Sequence, residues 1–166
     1  MKIQVRKAKI IDIPSLIDKM FEFYVKLRNR GALDIAKSDS VLKGGVVIEI
    51  GNGFSNPNWN CFVAVKDLEV LAFIVGIIEF CSPISEYHKC VRIHADYQAE
   101  GSLLGPRLNL AMWSQIEEWA QEQGAGYYYA NVHPGNQPSV RAVKHVKFKH
   151  GYTQFYRPVK LDVEVQ

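Results

Sequence analysis

The sequence has little of what defines several common classes of protein. Its three cysteines, Cys61, Cys81 and Cys90, are odd in number and include no Cys-x-x-Cys pair. A disulfide framework or a structural zinc site is therefore not expected, and reduced intracellular thiols are the simpler interpretation. No apolar run approaches the roughly 18 residues of a membrane span, and the first residues lack the apolar core of a signal peptide. We therefore expect a cytoplasmic protein with no membrane partner and no metal.

An excess of charge of one sign is also lacking. The 166 residues include 20 Lys and Arg against 17 Asp and Glu, which leaves a net charge of only +3. A net positive charge this small permits an anionic ligand but does not indicate that the protein binds nucleic acid. The basic residues near the C-terminus, at helical spacing and without interleaved aromatic residues, predict a solvated helix face rather than a base-stacking surface. These residues are Arg141, Lys144, Lys147 and Lys149.

What the sequence does contain is a succession of strand and helix patterns that fits one domain over residues 1–166. Asp12 is the predicted N-cap of a first helix, whose apolar stripe includes Leu16, Met20 and Tyr24. Residues 38–53 are an ambiguous second helix, because Gly44 and Gly45 weaken it, and residues 51–60 have the composition of a loop. Strands are predicted over residues 3–8, 61–66, 69–81, 87–97 and 127–132, with more strands near Phe155 and over residues 159–165.

Two of these strands carry specific expectations. Residues 69–81 are apolar at nearly every position, which predicts a central strand that is covered on both faces. Residues 87–97 alternate, with Val91, Ile93, Ala95 and Tyr97 on one side and Cys90, Arg92, His94 and Asp96 on the other. A helix joins this strand to residues 127–132, which predicts a parallel crossover, whereas the hairpins before it predict antiparallel pairs. The sheet is therefore expected to be mixed.

Between residue 97 and the following helix the chain reads Gln98-Ala99-Glu100-Gly101-Ser102-Leu103-Leu104-Gly105. A loop that opens a helix points unpaired backbone N–H groups in one direction, with the positive end of the helix dipole behind them. Glycine lets the backbone approach an anion closely. The stretch indicates a phosphate site, although a glycine before a helix is also ordinary loop chemistry.

The order of elements and several motifs resemble the GNAT superfamily of N-acetyltransferases over nearly the whole chain. An opening pattern Arg-x-Ala-x-x-x-Asp runs from Arg6 to Asp12. The pyrophosphate loop of the family has the pattern (Arg/Gln)-x-x-Gly-x-(Gly/Ala). Gln98 and Gly101 match its first two specified positions, and Leu103 departs from the third. Either the loop is longer and uses Gly105 in place of Leu103, or the affinity for CoA has been lost.

A second family motif, Asn-x-x-(Ala/Ser), is matched by Asn136 and Ser139, and the helix that it opens closes at Gly151. This helix is one turn longer than is usual in the family. The family often places a tyrosine there to protonate the leaving thiolate. The corresponding position is Val143 when counted from the start of the helix and Lys147 when counted from its end, so Lys147 is a candidate acid and otherwise a solvated lysine.

The resemblance implies an α/β (α+β) acyltransferase fold, with a mixed, twisted sheet of six to seven strands and helices on both faces. It also implies acetyl-CoA as the acetyl donor, with its thioester along the backbone of residues 93–95, where this strand splays from residues 127–132. The implied cofactor contacts are Ile93, His94, Ala95, Gln98, Gly101, Ser102, Leu103, Leu104, Gly105, Asn136 and Ser139.

Two residues are candidates for the base that takes a proton from the acceptor amine. Glu79 interrupts an otherwise apolar strand, and a carboxylate there needs a partner or a function. Histidine is a residue type that commonly serves as a general base near neutral pH, and His94 precedes the predicted cofactor loop. The alternatives are a solvated strand-end glutamate and a histidine that bonds to Asp96 or Glu100.

The function that these features favour is acetyl transfer from acetyl-CoA to a primary amine of a small molecule or a protein, by direct attack in a ternary complex. A catalytically decayed binding module with the same fold is the alternative, supported by Leu103, by the missing tyrosine and by the longer last helix. A nucleic-acid-binding domain is the weakest of the three interpretations. The final strands could pair with a second copy, so a homodimer is left open.

Overall fold

The computed structural model describes residues 2–31, 38–81, 86, 88–98 and 106–130. In this part of the chain the elements are β1 (Gln4–Lys7), α1 (Ile13–Asn29), α2 (Asp39–Ser55), β2 (Trp59–Lys66), β3 (Glu69–Phe80), β4 (Lys89–Gln98), α3 (Pro106–Glu122) and β5 (Tyr127–Ala130). A single 3-10 turn, Ile10–Asp12, precedes α1. The helix predicted after Asn136 and the strands predicted around residues 155–165 lie outside the described residues.

The strands form one mixed sheet in the order β1-β2-β3-β4-β5. Neighbours from β1 to β4 are antiparallel, and β5 is parallel to β4. A two-residue turn joins β2 to β3, with Asp67 at φ 51° and Leu68 at φ 71°, as the short hairpin requires. The connection from β4 to β5 contains α3, since parallel strands need a long crossover. The mixed sheet and both kinds of connection are confirmed.

Helices cover both faces of the sheet, as expected. Leu16 and Met20 of α1 and Val46 and Ile50 of α2 form one core with the side chains on one face. Met112, Trp113, Ile116, Trp119 and Ala120 of α3 form a second core on the other face. Strand β3 lies between the two cores and is buried from both sides. Within the described ranges, none of the helices is long and apolar enough to cross a bilayer.

Asp12 does not act as the predicted N-cap. Its side chain makes no capping bond to α1. The buried carboxylate instead accepts two hydrogen bonds from Arg6, at 2.6 and 2.8 Å, and one from the backbone N–H of Lys9 at 2.7 Å. The bonds from Arg6, with help from Lys9, hold the pKa of Asp12 below its ordinary value even though burial opposes them. The pair ties the end of β1 to the start of α1.

The predicted loop over residues 51–60 is wrong, because α2 continues to Ser55 and β2 begins at Trp59. Leu42, Val46, Ile50 and Gly53 are buried along one side of α2. Helix α2 has a glycine at position 53 because the indole ring of Trp59 packs directly against its backbone there. A Cβ at this position would lie 2.5 Å from a ring carbon of Trp59, closer than any real contact. The glycine is thus required by tertiary packing rather than by a turn.

The clean alternation predicted for β4 is also wrong, because the strand carries a β-bulge. Ala95 pairs with Val75 and Ile93 pairs with Gly76, so His94 is an extra residue with no partner in the register of β3. Two residues then oppose one, and the side-chain alternation shifts by one position. Ile93 consequently faces α3, whereas Ala95 lies in the core under α1 and α2.

The packing of Gly53 predicts opposite effects for two glycine-to-alanine substitutions in α2. Gly53→Ala should lower the free energy of unfolding by about 1–3 kcal/mol, since its methyl group forces the indole of Trp59 to move. Gly45→Ala is the matched control, because nothing lies within 4 Å of a Cβ there. It should raise the free energy of unfolding by up to about 1 kcal/mol through helix propensity. Urea denaturation measures both, and equal effects would contradict this packing.

Candidate active site

A connected set of polar side chains lies on the sheet face that α1 and α2 cover. We call it the polar cluster, and its members come from five different elements of the fold. They are Tyr24 of α1, Glu49 of α2, Glu79 of β3, Arg92 and His94 of β4, and Tyr129 of β5. His94, like Arg92 two residues before it, faces α1 and α2, so its side chain joins this cluster, and the bulge places Asp96 on the α3 side.

At one end of the cluster, His94 contacts Glu49 and Tyr24. The Nε2 atom of His94 lies 2.8 Å from Oε1 of Glu49 and 3.0 Å from the hydroxyl of Tyr24. The same hydroxyl donates to Oε2 of Glu49 at 2.8 Å. Both oxygens of Glu49 therefore accept a hydrogen bond. These bonds hold the carboxylate of α2 against Tyr24 of α1 and His94 of β4.

The other nitrogen of His94 contacts Arg92, at 2.9 Å between Nδ1 and Nη1. A guanidinium group donates hydrogen bonds and has no lone pair to accept one. Nδ1 must therefore be the acceptor, and the proton of a neutral imidazole is on Nε2. This proton is donated to Glu49, which makes His94 and Glu49 a hydrogen-bonded pair with a defined tautomer.

At the other end of the cluster, Glu79 accepts from Arg92 and Tyr129. Nε of Arg92 lies 2.6 Å from Oε1 of Glu79, and the hydroxyl of Tyr129 donates to Oε2. Burial alone would raise the pKa of Glu79, but the hydrogen bonds from Tyr129 and Arg92 outweigh it and lower the pKa. Burial and the bond to this carboxylate raise the pKa of Tyr129 to about 12. Glu79 is thus an ion-paired carboxylate, and Tyr129 remains protonated.

The polar cluster is accessible to a ligand. The exposed fraction of the side chain is 28% for Arg92, 34% for Glu79, 26% for His94 and 28% for Glu49. Such groups are shielded enough for their hydrogen bonds to matter, yet one side of each meets solvent. An incoming cation could contact either carboxylate without unfolding any element.

The structure places some of the predicted site residues together and does not describe others. Ile93, His94 and Ala95 lie at the bulge, and Gln98 is the last residue of β4. Strand β5 pairs with β4 as far as Ile93 and Ala130, so the predicted splay beyond that pair involves residues outside the described part. Also outside it are Gly101, Ser102, Leu103, Leu104, Gly105, Asn136, Ser139 and Lys147.

Four members of the cluster, Tyr24, Glu49, Arg92 and Tyr129, were not among the predicted site residues. Glu49 lies between two isoleucines of α2, and a charged residue in so apolar a helix was the available signal. Tyr129 belongs to a run of three tyrosines whose rings alternate, as expected. The ring of Tyr128 packs on Trp113 of α3, whereas Tyr129 reaches Glu79 on the opposite face.

Asp96 lies on the α3 side of the bulge and is not the partner of His94. Burial raises its pKa to about 6, against the effect of a hydrogen bond from Trp113. Since Asp96 and His94 face opposite sides of the sheet, the alternative in which His94 bonds to Asp96 is wrong, and the other alternative partner, Glu100, lies outside the described residues. The physical reason is the shift in alternation at the bulge.

No protein-family model matches the sequence, and no curated protein matches it. Solved structures match its fold over nearly the whole chain. An aminoglycoside antibiotic 6'-N-acetyltransferase from Acinetobacter haemolyticus has a TM-score of 0.72 at 13% identity, covering 96% of this chain and 99% of its own. A predicted acetyltransferase from Clostridium acetobutylicum, solved with acetyl-CoA, has a TM-score of 0.73 at 14% identity, covering 95% and 96%.

A third match is a transcriptional regulator from Bacillus halodurans C-125, with a TM-score of 0.72 at 14% identity, covering 95% of this chain and 100% of its own. Structural similarity at identities this low shows the fold alone and leaves the activity open. The chain has the fold of the GNAT acetyltransferases, as the order of elements predicted.

The raised pKa of Asp96 predicts a pH-dependent gain in stability for Asp96→Asn. The folded state holds this proton up to about pH 6, whereas the unfolded chain releases it near pH 4. The wild type therefore loses stability as the pH rises from about 4 to 6, and the variant does not. Its melting temperature should exceed that of the wild type by about 3 °C or more at pH 7.5.

The excess should shrink toward zero as the pH is lowered to about 4. The control is Asp18→Asn, which removes a carboxylate that is exposed on α1. Thermal melts of the three proteins across this pH range measure the effect. An excess that is the same at both ends of the range would contradict the assignment of a raised pKa to Asp96.

Proposed function

We propose that the protein transfers the acetyl group of acetyl-CoA to a primary amine of a small molecule or a protein, by direct attack in a ternary complex. The observation that carries the proposal is the Glu49–His94 pair at the bulge of β4, within a fold whose solved examples include a predicted acetyltransferase with acetyl-CoA. The pair supplies a proton acceptor beside the backbone that the resemblance assigns to the thioester.

The charge of the polar cluster supports an amine as the acceptor. Two carboxylates, Glu49 and Glu79, stand against a single guanidinium, Arg92, while His94 is neutral in the tautomer that the geometry requires. The cluster therefore carries one net negative charge. A protonated amine restores the balance, and the exposed side of each carboxylate is available to bind it.

The two carboxylates suit different tasks. The bonds from Tyr129 and Arg92 lower the pKa of Glu79, which makes it a weak proton acceptor and a good anionic partner for an ammonium group. We therefore assign Glu79 to binding of the acceptor and the Glu49–His94 pair to its deprotonation. The proposed acid, Lys147, lies outside the described residues and keeps that role as a proposal.

The bulge also suits a thioester. His94 has no partner in the register of β3, so the backbone at Ile93, His94 and Ala95 departs from regular pairing where a carbonyl oxygen needs donors. Acetyl-CoA supplies the acetyl group there. Its pyrophosphate would lie beyond Gln98, on residues 101–105, which precede the first turn of α3 at Pro106. Asn136 and Ser139 would hold the pantetheine arm.

The alternative is a binding module that has kept the fold and lost the chemistry. Leu103 stands where the family motif has glycine or alanine, and one protein with this fold is described as a transcriptional regulator. The intact hydrogen bonds of the Glu49–His94 pair favour the enzyme. Incubation with acetyl-CoA and an aminoglycoside, a linear diamine or a lysine-containing peptide, followed by mass spectrometry of the amine, distinguishes the two.

Substitution of Glu49 tests the proposed base. Glu49→Gln keeps the shape of the side chain and removes its ability to take a proton, so kcat should fall by about a hundredfold or more. Affinity for acetyl-CoA, measured by calorimetry, should stay within about twofold of the wild type, because the proposed cofactor contacts are backbone groups of β4 and the residues after it. Free CoA thiol measured over time gives the rate.

Glu118→Gln is the control, because Glu118 is an exposed carboxylate on α3, on the other side of the sheet. It should leave kcat unchanged. If Glu49→Gln retains the wild-type kcat, Glu49 is not the base. If the wild type acetylates none of the amines and does not bind acetyl-CoA at millimolar concentration, the binding module is the better account.

A further inference from the structure

Arg92 lies at the centre of the polar cluster and contacts both of its ends. Nε donates to Glu79 over 2.6 Å, and Nη1 donates to Nδ1 of His94 over 2.9 Å. The neighbours of Arg92 on β4, Val91 and Ile93, are buried in the core under α3. The strand therefore directs the guanidinium toward the α1 and α2 side, and the two bonds leave it little freedom to turn away.

The chemistry of Arg92 restricts the protonation state of His94. A guanidinium group remains charged at physiological pH and has no lone pair. A proton on Nδ1 of His94 would point at an N–H of Arg92, and a ring protonated on both nitrogens would also place a second positive charge beside the guanidinium. Among the described residues, the other groups that contact His94 are Tyr24 of α1 and Glu49 of α2, and both contact Nε2. A lone pair on Nδ1 and a proton on Nε2 satisfy every one of these contacts.

We propose that Arg92 is a positioning residue that holds His94 as the neutral Nε2–H tautomer and so leaves Glu49 as the group that takes the proton of the amine. His94 then acts through Glu49, by donating the hydrogen bond that orients its carboxylate. The part about Glu49 rests on the proposed acetyl transfer, whereas the tautomer follows from the hydrogen bonds of Arg92 alone.

The proton and electron balance of the step is simple. One N–H bond of the ammonium group breaks, and its proton goes to Glu49. The freed lone pair attacks the carbonyl carbon of the thioester, and the C–S bond breaks with both electrons on sulfur. The second proton lost by nitrogen goes to the CoA thiolate, which leaves an amide and free CoA.

The tautomer is measured by nitrogen NMR of protein labelled with 15N-histidine, at pH 7.5 and without acetyl-CoA. The spectrum of His94→Gln identifies the signals of His94 by their loss. In the wild type, Nε2 should show the signal of a protonated ring nitrogen, and Nδ1 that of an unprotonated one. A protonated Nδ1, or averaged signals from two exchanging tautomers, would overturn the proposal.

Three variants then test whether Arg92 is the cause. Arg92→Met keeps an unbranched apolar stem and removes the guanidinium donors, and it should give averaged His94 signals and a kcat about tenfold to a hundredfold lower. Arg92→Lys has a single ammonium group and should restore both properties in part. Lys89→Met, a charge removal at the start of the same strand, should match the wild type in both.

The measurements separate this proposal from the proposed function. An enzyme that acetylates amines but shows the same His94 tautomer in the wild type and in Arg92→Met refutes the role of Arg92. A protein that shows the predicted tautomer but acetylates nothing refutes acetyl transfer and leaves the assignment of Arg92 in place. If Arg92→Met does not fold, Arg92→Lys and the wild-type spectrum still decide the tautomer.

Discussion

In β4, His94 is inserted between two residues that pair with consecutive positions of β3, Ala95 with Val75 and Ile93 with Gly76. The candidate site depends on this insertion. With regular alternation, His94 and Asp96 would share a face. Because of the bulge, His94 joins Glu49 and Tyr24 while Asp96 lies toward α3. A single extra residue thus separates a histidine–carboxylate pair from a carboxylate that burial keeps largely protonated below pH 6.

On the other side of the sheet, helix α3 packs closely at the same position, next to the bulge. Gly76, the partner of Ile93, has no side chain, and a Cβ there would lie 2.8 Å from Ile116 and 2.9 Å from Trp119. Helix α3 therefore approaches the sheet closely where β4 departs from regular pairing. The fold places its candidate chemistry on one face and a tightly packed helix on the other, so the bulge is supported by a core rather than by a loop.

The parts of the fold that follow from local patterns were predictable from the sequence. Periodicity and turn residues predicted the hairpin at Asp67 and Leu68, the doubly covered strand β3 and the parallel pairing of β4 with β5. The parts set by tertiary contacts were not. Nothing in the local sequence distinguishes the bulge at His94 from regular alternation, because the register of β3 decides it.

The candidate site was also predictable only in part, where local sequence patterns determine it. Glu79 was a candidate because a carboxylate in an apolar strand needs a partner, and His94 because it precedes the predicted cofactor loop. The structure supplies a partner for each of them. Glu49 was missed because α2, with two adjacent glycines and apolar residues on several sides, did not indicate which face it buries. The apolar stripe of α1 predicted the burial of Tyr24, but only the position of α2 shows that its hydroxyl reaches Glu49.

The central claim is that acetyl-CoA binds with its thioester at the bulge, beside the Glu49–His94 pair. A titration of 15N-labelled protein with acetyl-CoA, followed through the backbone amide signals, tests it most directly. The account predicts that the amides of Ile93, His94 and Ala95 shift with saturation, and that His94 shifts less with CoA that lacks the acetyl group. Saturable binding that leaves these three amides unchanged, or no binding at millimolar acetyl-CoA, would contradict it.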